Sequence, residues 1–552
     1  MLTNCYYKIV LMTFYNLQWL MPMRFFLNSF FRLLDFRRRY KANTILTLIV
    51  MLLASFYSKA QFYNLPGDYN FSLLTERKLA QRDSSIHTGI KPYIHFFSNK
   101  YVHEADSHVI FKYITEDPAL DVAFYKHLIS VEPKDNKFKL RLDPILNFQI
   151  GKDLADPKGT RLSTNTRGVI VSAYIGKDFY CESMFVENQS FFPNYLGNYV
   201  MQSQVVPGQG RYKVFKETGY DYAFSSGFVS YQPNKHLNIQ AGHGKQKIGN
   251  GYRSLLLSDN ALNYPYLRFT QQWFKGRLQY TNIYAVLMNL DSAAKKISPD
   301  AERLYQKKPA AFQYLSLNVT KSINVSLFQG IVWQAGNSVN KQQVNLMYAN
   351  PLIFSQAAVY GLNNPNNVVV GADIKIKLAN NLNAYAQLMA DDLSNSISLG
   401  NGYGYQFGLN YFNALNIKNL FLQAEYNNVS QASYISPLSA TTDQSYSHYN
   451  QSLAFTPGTG SELVLIADYK KKRFFGNFRY QNQTVQQNKM NYYNTNLVNA
   501  TVGYLINPAY NLNISMGYVY RYQKFYNFNP SNTASYLYIG IKTNLYNAYY
   551  DF

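Results

Sequence analysis

Cysteine is almost missing from this 552-residue chain, which carries only Cys5 and Cys181. A disulfide framework and a cysteine-based zinc site are therefore excluded. Charge is sparse, at 15% of residues where soluble domains carry about 25%. Acidic residues are the scarcer sign: 31 Asp+Glu stand against 53 Lys+Arg, for a net charge of +22. No window after residue 61 holds 18 uninterrupted apolar residues, so no membrane-spanning helix is expected there. Aromatic residues, by contrast, are plentiful. The 51 Tyr, 37 Phe and 3 Trp make up 16% of the chain, which excludes disorder and suits strands whose ends meet a membrane–water interface.

Near the N-terminus, Arg37-Arg38-Arg39-Tyr40-Lys41 precedes an apolar run from Ala42 to Tyr57, and Ser58-Lys59-Ala60 places small residues before Gln61. This is the pattern of a secretory signal peptide over residues 1–60; residues 1–36, upstream of the charged flank, read as a start codon placed too early or a long leader. Cleavage removes eight Lys/Arg and one Asp, leaving +15 and a single thiol. Export excludes nucleic acid as a partner. It leaves lipopolysaccharide phosphates, outer-membrane lipid and acidic polymers as matches for the positive charge.

Residues 61–138 are charge-dense, and Leu73, Leu74, Leu79 and Ala80 followed by the run from Val109 to Ile129 fit short amphipathic helices, predicting a small N-terminal periplasmic helical or plug region. From Lys139 the pattern changes to period two, as in Leu146, Phe148 and Ile150, the alternation of a sheet with one apolar face. Eight short turn signals follow, at 176–178, 232–234, 275–276, 320–322, 380–381, 416–419, 470–472 and 507–509. Eight hairpins with one further run at each end, 139–150 and 535–552, give eighteen strands. Long connections at 188–220, 244–265, 336–367 and 429–460 alternate with these turns. Short turns at one end and long loops at the other are the layout of a transmembrane antiparallel β-barrel over 139–552. A pair of soluble sandwiches or a propeller shows the same alternation. Rings at strand ends, such as Phe474, Phe475 and Tyr480 or Tyr518, Tyr520 and Tyr522, favour the barrel with aromatic girdles. The terminus Tyr549-Tyr550-Asp551-Phe552 reads as the end of the closing strand, with Tyr549, Tyr550 and Phe552 as the aromatic signal used by the outer-membrane assembly machinery.

Catalytic constellations are weak. His103-Glu104 with His108 is one residue too long for the two-histidine helix motif, so no metal site is expected and no cofactor is implied. The stretch Gly242 to Gly249 lacks the lysine that a phosphate loop requires, since Asn250 follows the last glycine. The adjacent pair Asp391-Asp392 points to opposite faces of a strand and makes a poor acid/base pair for glycoside hydrolysis. The glycine-flanked segment with Arg253, Ser254, Asp259 and Asn260 fits a loop turned back into the lumen, Arg253 and Asp259 being paired or hydrogen-bonded inside. In the nearly uncharged loop 429–460, the side chains of Tyr446, His448, Tyr449, Asn450 and Gln451 combine rings that stack on pyranose faces with amides that bond hydroxyls. They are candidate glycan ligands unless the rings pack on one another.

Several stretches resemble the capsule-assembly Wzi-like outer-membrane barrels, in the branch of gliding and other Bacteroidota bacteria labelled gliding-motility RemB-like. The residues are Leu142 to Phe148, Asn165-Thr166-Arg167-Gly168-Val169, Gly249 to Asn260, Asn350-Pro351, His448 to Ala454 and Asn547 to Phe552. They occur in the family's order across nearly the whole exported chain, and Arg253 to Asn260 is the most specific. Where relatives continue with His-Pro-Leu-Gly this chain reads Phe455-Thr456-Pro457-Gly458, which withholds any family ligand role from that stretch. The resemblance implies an eighteen-stranded barrel with periplasmic helices that holds or assembles surface polysaccharide. The expectation is therefore a non-enzymatic polysaccharide-binding barrel integral to the outer membrane. The alternatives are a passive channel, or an accessory of gliding or secretion that works through other envelope proteins.

Overall fold

The structure, a computed structural model, describes residues 73, 76–80, 86–94, 117–133, 137–176, 178–293, 305–333, 350–355, 366–391, 402–435, 444–456, 458–486, 492–526, 531–543 and 546–552. The signal-peptide segment 1–60 and the histidines at 103 and 108 lie outside these residues.

Eighteen antiparallel strands close on themselves. They are β1 (Phe138–Asp153), β2 (Arg161–Ile175), β3 (Phe179–Phe191), β4 (Gly219–Asn234), β5 (Leu237–Gly244), β6 (Tyr264–Trp273), β7 (Leu278–Ala293), β8 (Tyr305–Asn318) and β9 (Ile323–Val332). The second half comprises β10 (Asn367–Ala379), β11 (Leu382–Asp391), β12 (Gly402–Phe412), β13 (Leu420–Val429), β14 (Gly460–Lys471), β15 (Phe474–Gln486), β16 (Tyr492–Asn507), β17 (Leu512–Phe525) and β18 (Asn532–Thr543). Closure is made by β18 against β1, from Tyr536↔Asp153 to Lys542↔Asn147. All eight turns expected from the sequence join neighbouring strands at one end, the end that is periplasmic in barrels of this kind.

The wall is apolar outside and polar inside. In β11 Leu388 is 58% exposed while Gln387 is fully buried, in β12 Phe407 is 55% exposed beside buried Gln406, and in β17 Met516 is 50% exposed beside Ser515 at 3%. A water-soluble barrel or sandwich shows the reverse, because water would face the amides and the core would take the leucines. The exposed apolar band is instead satisfied by lipid, and closure leaves no strand edge in it. Rings gather at its borders: Phe179 stacks on Tyr231 with centroids 4.5 Å apart, Phe474 meets Tyr504 at 5.0 Å, and Tyr492 stacks on Tyr526 at 4.3 Å. Phe475, expected in this girdle, faces the lumen.

One expectation is corrected here. The closing strand ends at Thr543, and 546–552 form no strand; this tail turns back into the barrel, where Asp551 is 1% exposed. The reason is chemical: Asp551 and the tyrosine hydroxyls find charged and amide partners in the lumen that lipid could not supply. In the region before the barrel the described residues include both helix and strand. Apart from the short turn around 76–79, its described helix is α1 (Pro118–Phe124), capped by the Asp117 side chain and held at the short-turn end by Asn507, whose amide donates to the Val122, Ala123 and Lys126 carbonyls. Ile129–Val131 is a strand laid along β1, and Ile90–Lys91 pairs inside the barrel with Lys247–Ile248.

Candidate functional site

Among the described residues, pieces of the chain itself occupy the lumen, and three of them bear on the site. One is the N-terminal segment 86–94, the second is the loop 245–263 between β5 and β6, and the third is the tail 546–552. The loop runs across the inner wall at membrane depth, where every backbone N–H needs a partner. Consecutive strands supply them. Asp373 on β10 accepts from the Asn250 amide at 2.8 Å, Gln387 on β11 from Leu255 N at 2.9 Å, and Glu425 on β13 from Tyr252 N and Arg253 N at 2.7 and 3.0 Å. Gln406 on β12 donates to the Arg253 carbonyl at 3.2 Å. A Cβ at position 251 would overlap the Glu425 carboxylate and the Gln406 amide, and Gly249 holds a φ of +147° against the Gln387 amide. Glycine is the residue these two positions admit.

Arg253 and Asp259 are both inside, as the sequence suggested, but they do not bond each other. Each holds the tail. Arg253 Nη2 donates to Glu462 of β14 at 2.9 Å, while Nη1 meets Asp551 Oδ1 at 3.3 Å. Asp259 accepts from the Tyr549 hydroxyl and the Asn547 amide, both at 3.0 Å. Burial opposes charge on both residues. At Arg253 the carboxylates of Asp551 and Glu462 outweigh it and raise the guanidinium pKa further. At Asp259 the Lys247 and Lys245 ammonium groups and the Tyr549 and Asn547 bonds outweigh it and hold the carboxyl below its ordinary value. Burial also lowers Asp259's neighbour Lys245 to about 8. Ser254 bonds the Ile248 carbonyl and accepts from Leu256 N and Leu257 N, and Asn260 donates to the Ala454 carbonyl at 2.8 Å. Both close the loop on itself and on its lid.

That lid is the stretch 444–456, and it corrects the expected glycan ligands. Tyr446 is fully buried with its hydroxyl on the Leu256 carbonyl at 2.7 Å, His448 is 1% exposed, and Gln451 accepts from Gly208 N. Met288 N donates to His448 Nδ1 at 2.9 Å while Nε2 lies 3.2 Å from the Asn263 carbonyl. This arrangement requires a neutral ring with its proton on Nε2, and burial accordingly lowers His448 to about 3. Tyr449 is half-buried with its hydroxyl on the Met288 sulfur, and Asn450 is exposed. The Tyr446 ring packs with Leu255, Leu256 and Leu257 rather than facing solvent, because three consecutive leucines in a polar lumen need an apolar cover. Together with Phe312, Phe328 and Phe455 they form a core inside the barrel.

Among the described residues, the opposite side of the lumen is left partly open. A cavity of about 300 Å³ lies between the tail and the inner faces of β14–β18 and β1–β4. Its wall carries the rings of Tyr222, Phe475, Tyr536 and Tyr538, the amides of Asn147, Asn188, Asn477 and Asn499, and the cations Arg479 and Lys542. Helix α2 (Asn194–Ser203), in the loop before β4, closes the far side and clamps the tail: Tyr199 meets Phe552 with centroids 4.0 Å apart, and the Tyr195 hydroxyl donates to the Tyr550 carbonyl. Arg521 of β17 donates to the Phe552 carbonyl at 2.9 Å. The cavity residues come from strands far apart in sequence. The one available signal was the run of amides and rings at inward parity in β15, β16 and β18, alternating with the apolar lipid face. Asp391 ends β11 with its carboxylate bonded to Tyr434 N, and Asp392 lies outside the described residues. Among the described residues, no cluster of His, Cys, Asp and Glu could hold a metal.

The sequence matches no family model and no curated protein. Among solved structures the fold is similar to Wzi, an outer-membrane protein involved in group 1 capsule assembly in Escherichia coli and described as a carbohydrate-binding β-barrel. The likeness covers 88% of this chain and 100% of that one at 12% identity, with a TM-score of 0.52. Two porin-like barrels, OccAB3 of Acinetobacter baumannii (12% identity, 74% of this chain and 98% of that one, TM-score 0.42) and OpdK of Pseudomonas aeruginosa (10%, 73% and 98%, 0.43), are more distant.

Proposed function

We propose that the protein is a non-enzymatic outer-membrane barrel that binds surface polysaccharide and helps to assemble or retain it, in the manner of the Bacteroidota capsule-assembly branch its sequence stretches resemble. The observation that carries this reading is the division of the lumen. Three segments of the chain obstruct the passage that an open eighteen-stranded barrel would offer, while a pocket lined by rings, amides and hydroxyls is left beside them. A passive channel has no use for so complete a polar stitching of loop, tail and wall. A polysaccharide-holding protein needs a rigid concave surface whose ring faces and amides are fixed in advance. The fold's likeness to a barrel that is itself carbohydrate-binding agrees with this reading.

The test is a deletion strain complemented with the native gene or with a Tyr536→Ala, Tyr538→Ala, Asn499→Ala variant at matched levels of assembled barrel. Cell-bound and shed polysaccharide are then measured. The expected outcome is loss of bound polymer in the deletion and in the variant. Equal retention in deletion and parent overturns the reading. Steady ion conductance of the native barrel in planar bilayers would favour the channel instead.

A further inference from the structure

We propose that the lumenal cavity is a binding site for a carboxylate-bearing sugar segment, with Lys542 and Arg479 as its anion contacts and the Tyr536–Tyr538 pair as its stacking platform. This rests on the polysaccharide reading above and narrows it to an acidic glycan.

The charged residues on the cavity wall are Arg479, Lys542 and Asp551. Asp551 is already engaged. It lies 3.3 Å from Arg253 and 3.7 Å from Arg479 and accepts from the Tyr252 hydroxyl and the Gln481 amide. Glu462 matches Arg253 and Asp551 matches Arg479, so this cluster is balanced, but the Arg479 Nε has no hydrogen-bond partner in the structure and remains a donor. Lys542, on β18 at the turn end, has no ion-pair partner among the described residues. Lys542 is therefore the cation on the cavity wall left without an opposite charge. Elsewhere in the same lumen cations are either ion-paired, as Lys91 with Glu76 and Arg253 with Glu462, or bonded to neutral oxygens, as Lys308 to Ser445 and Lys375 to Thr88.

The rest of the lining has the chemistry of a sugar site. The rings of Tyr536 and Tyr538, two apart on one strand and so on one face, lie with centroids 5.3 Å apart and planes 28° from parallel. Both rings line the cavity. Around it, Asn477 and Asn499 supply amides for hydroxyl groups, and Asn147 Oδ1 is buried without a partner. A volume of about 300 Å³ sits at the lower bound of small-molecule sites, a fit to a short sugar segment. A ligand carboxylate there makes charge-assisted bonds in a confined, poorly solvated space where Coulomb attraction is less screened than in bulk water.

The experiment uses the full exported protein in detergent, with tetragalacturonate and maltotetraose as acidic and neutral probes of equal length, followed by calorimetric titration. Native protein is expected to bind the acidic probe more tightly. Lys542→Gln should weaken that binding roughly tenfold, the size of one charge-assisted bond, and leave the neutral probe unchanged, while Lys542→Arg retains it. Tyr538→Ala should weaken both. Heat-modifiable migration on gels confirms that each variant is folded. Equal affinity for the two probes, unaltered by Lys542→Gln, overturns the acidic-sugar assignment and leaves the polysaccharide reading standing. Loss on Asn450→Ala equal to that on Lys542→Gln moves the site to the loop mouth and overturns the cavity. If neither probe binds, the cavity is not a glycan site, and the surface-retention assay judges the broader reading separately.

Discussion

The two halves of the lumen are built by strands of the same kind and filled differently. Along β6–β13 the inner wall carries Phe312, Phe328, Val369 and Met389, and the leucines at 255–257 press against them under Tyr446 and Phe455. Along β14–β18 and β1–β4 the inner wall carries rings alternating with amides, and the tail covers it only partly, leaving the cavity. The first half is packed as a protein core around those leucines. The second half keeps polar groups facing unfilled space. Burying the plug so thoroughly on one side is what lets the other side remain an unfilled, fixed concavity, since the tail that forms its roof is anchored to the plug by Arg253 and Asp259.

Breaking that anchor should erase the difference between the halves. Arg253→Ala leaves Glu462 as a buried carboxylate without its guanidinium and Asp551 with Arg479 alone, a loss of about 3–5 kcal/mol. Denaturant unfolding in detergent should register it, and ion conductance should rise as the tail unseats. Unchanged conductance in the assembled variant would mean that the tail is held without Arg253. Acid should act in the same direction. Asp259 and Asp551 are both held below their ordinary pKa, Asp551 because the Arg253 and Arg479 guanidiniums outweigh its burial. Their contribution is complete above the unfolded value of about 3.9 and is lost as pH falls through the depressed folded values. A Phe552→Cys, Cys181→Ser protein should therefore become reactive towards a pyridyl disulfide only below about pH 4. Labelling already present at pH 7 would contradict the seated tail.

Smaller changes sharpen the contrast within the plugged half. Gly251→Val drives a side chain into Glu425 and Gln406 and should cost about 1–3 kcal/mol through overpacking, measured by the same unfolding curve. Tyr446→Phe removes one buried hydrogen bond to Leu256 and should cost about 1 kcal/mol. If Tyr446 instead served sugar at an open surface, this change would leave stability untouched and reduce polymer retention. The smallest effect is expected across the lumen. Asn499→Ala, on the cavity wall, should alter stability by less than about 0.5 kcal/mol. A larger loss would show that the amides there hold the wall together rather than await a ligand.

Much of the barrel was legible beforehand for a local reason. Strand alternation and two- to four-residue turns are short-range properties, so Gln232-Pro233-Asn234 or Lys470-Lys471-Lys472 announces a hairpin without knowledge of the rest. The inward loop was also legible, because Gly249 and Gly251 flanking a run of polar residues and leucines mark a backbone that must bend and pass close to something. What it passes close to was not. Glu425 and Glu462 are single acids in otherwise ordinary strands, and Asp551 sits among aromatic residues that read as the end of a strand.

The sequence by itself determined the eighteen-stranded wall, its orientation of apolar residues and the place of the plug, since period, turn chemistry and burial preference act over a few residues. Only the tertiary structure decided that the tail leaves the wall at Thr543, that Tyr446 and His448 seal a core, and that the ring- and amide-lined cavity lies on the other side. Those outcomes depend on which strands closure brings face to face across the lumen, and on which buried charge each guanidinium and carboxylate finds when three segments separated by hundreds of residues share one enclosed space.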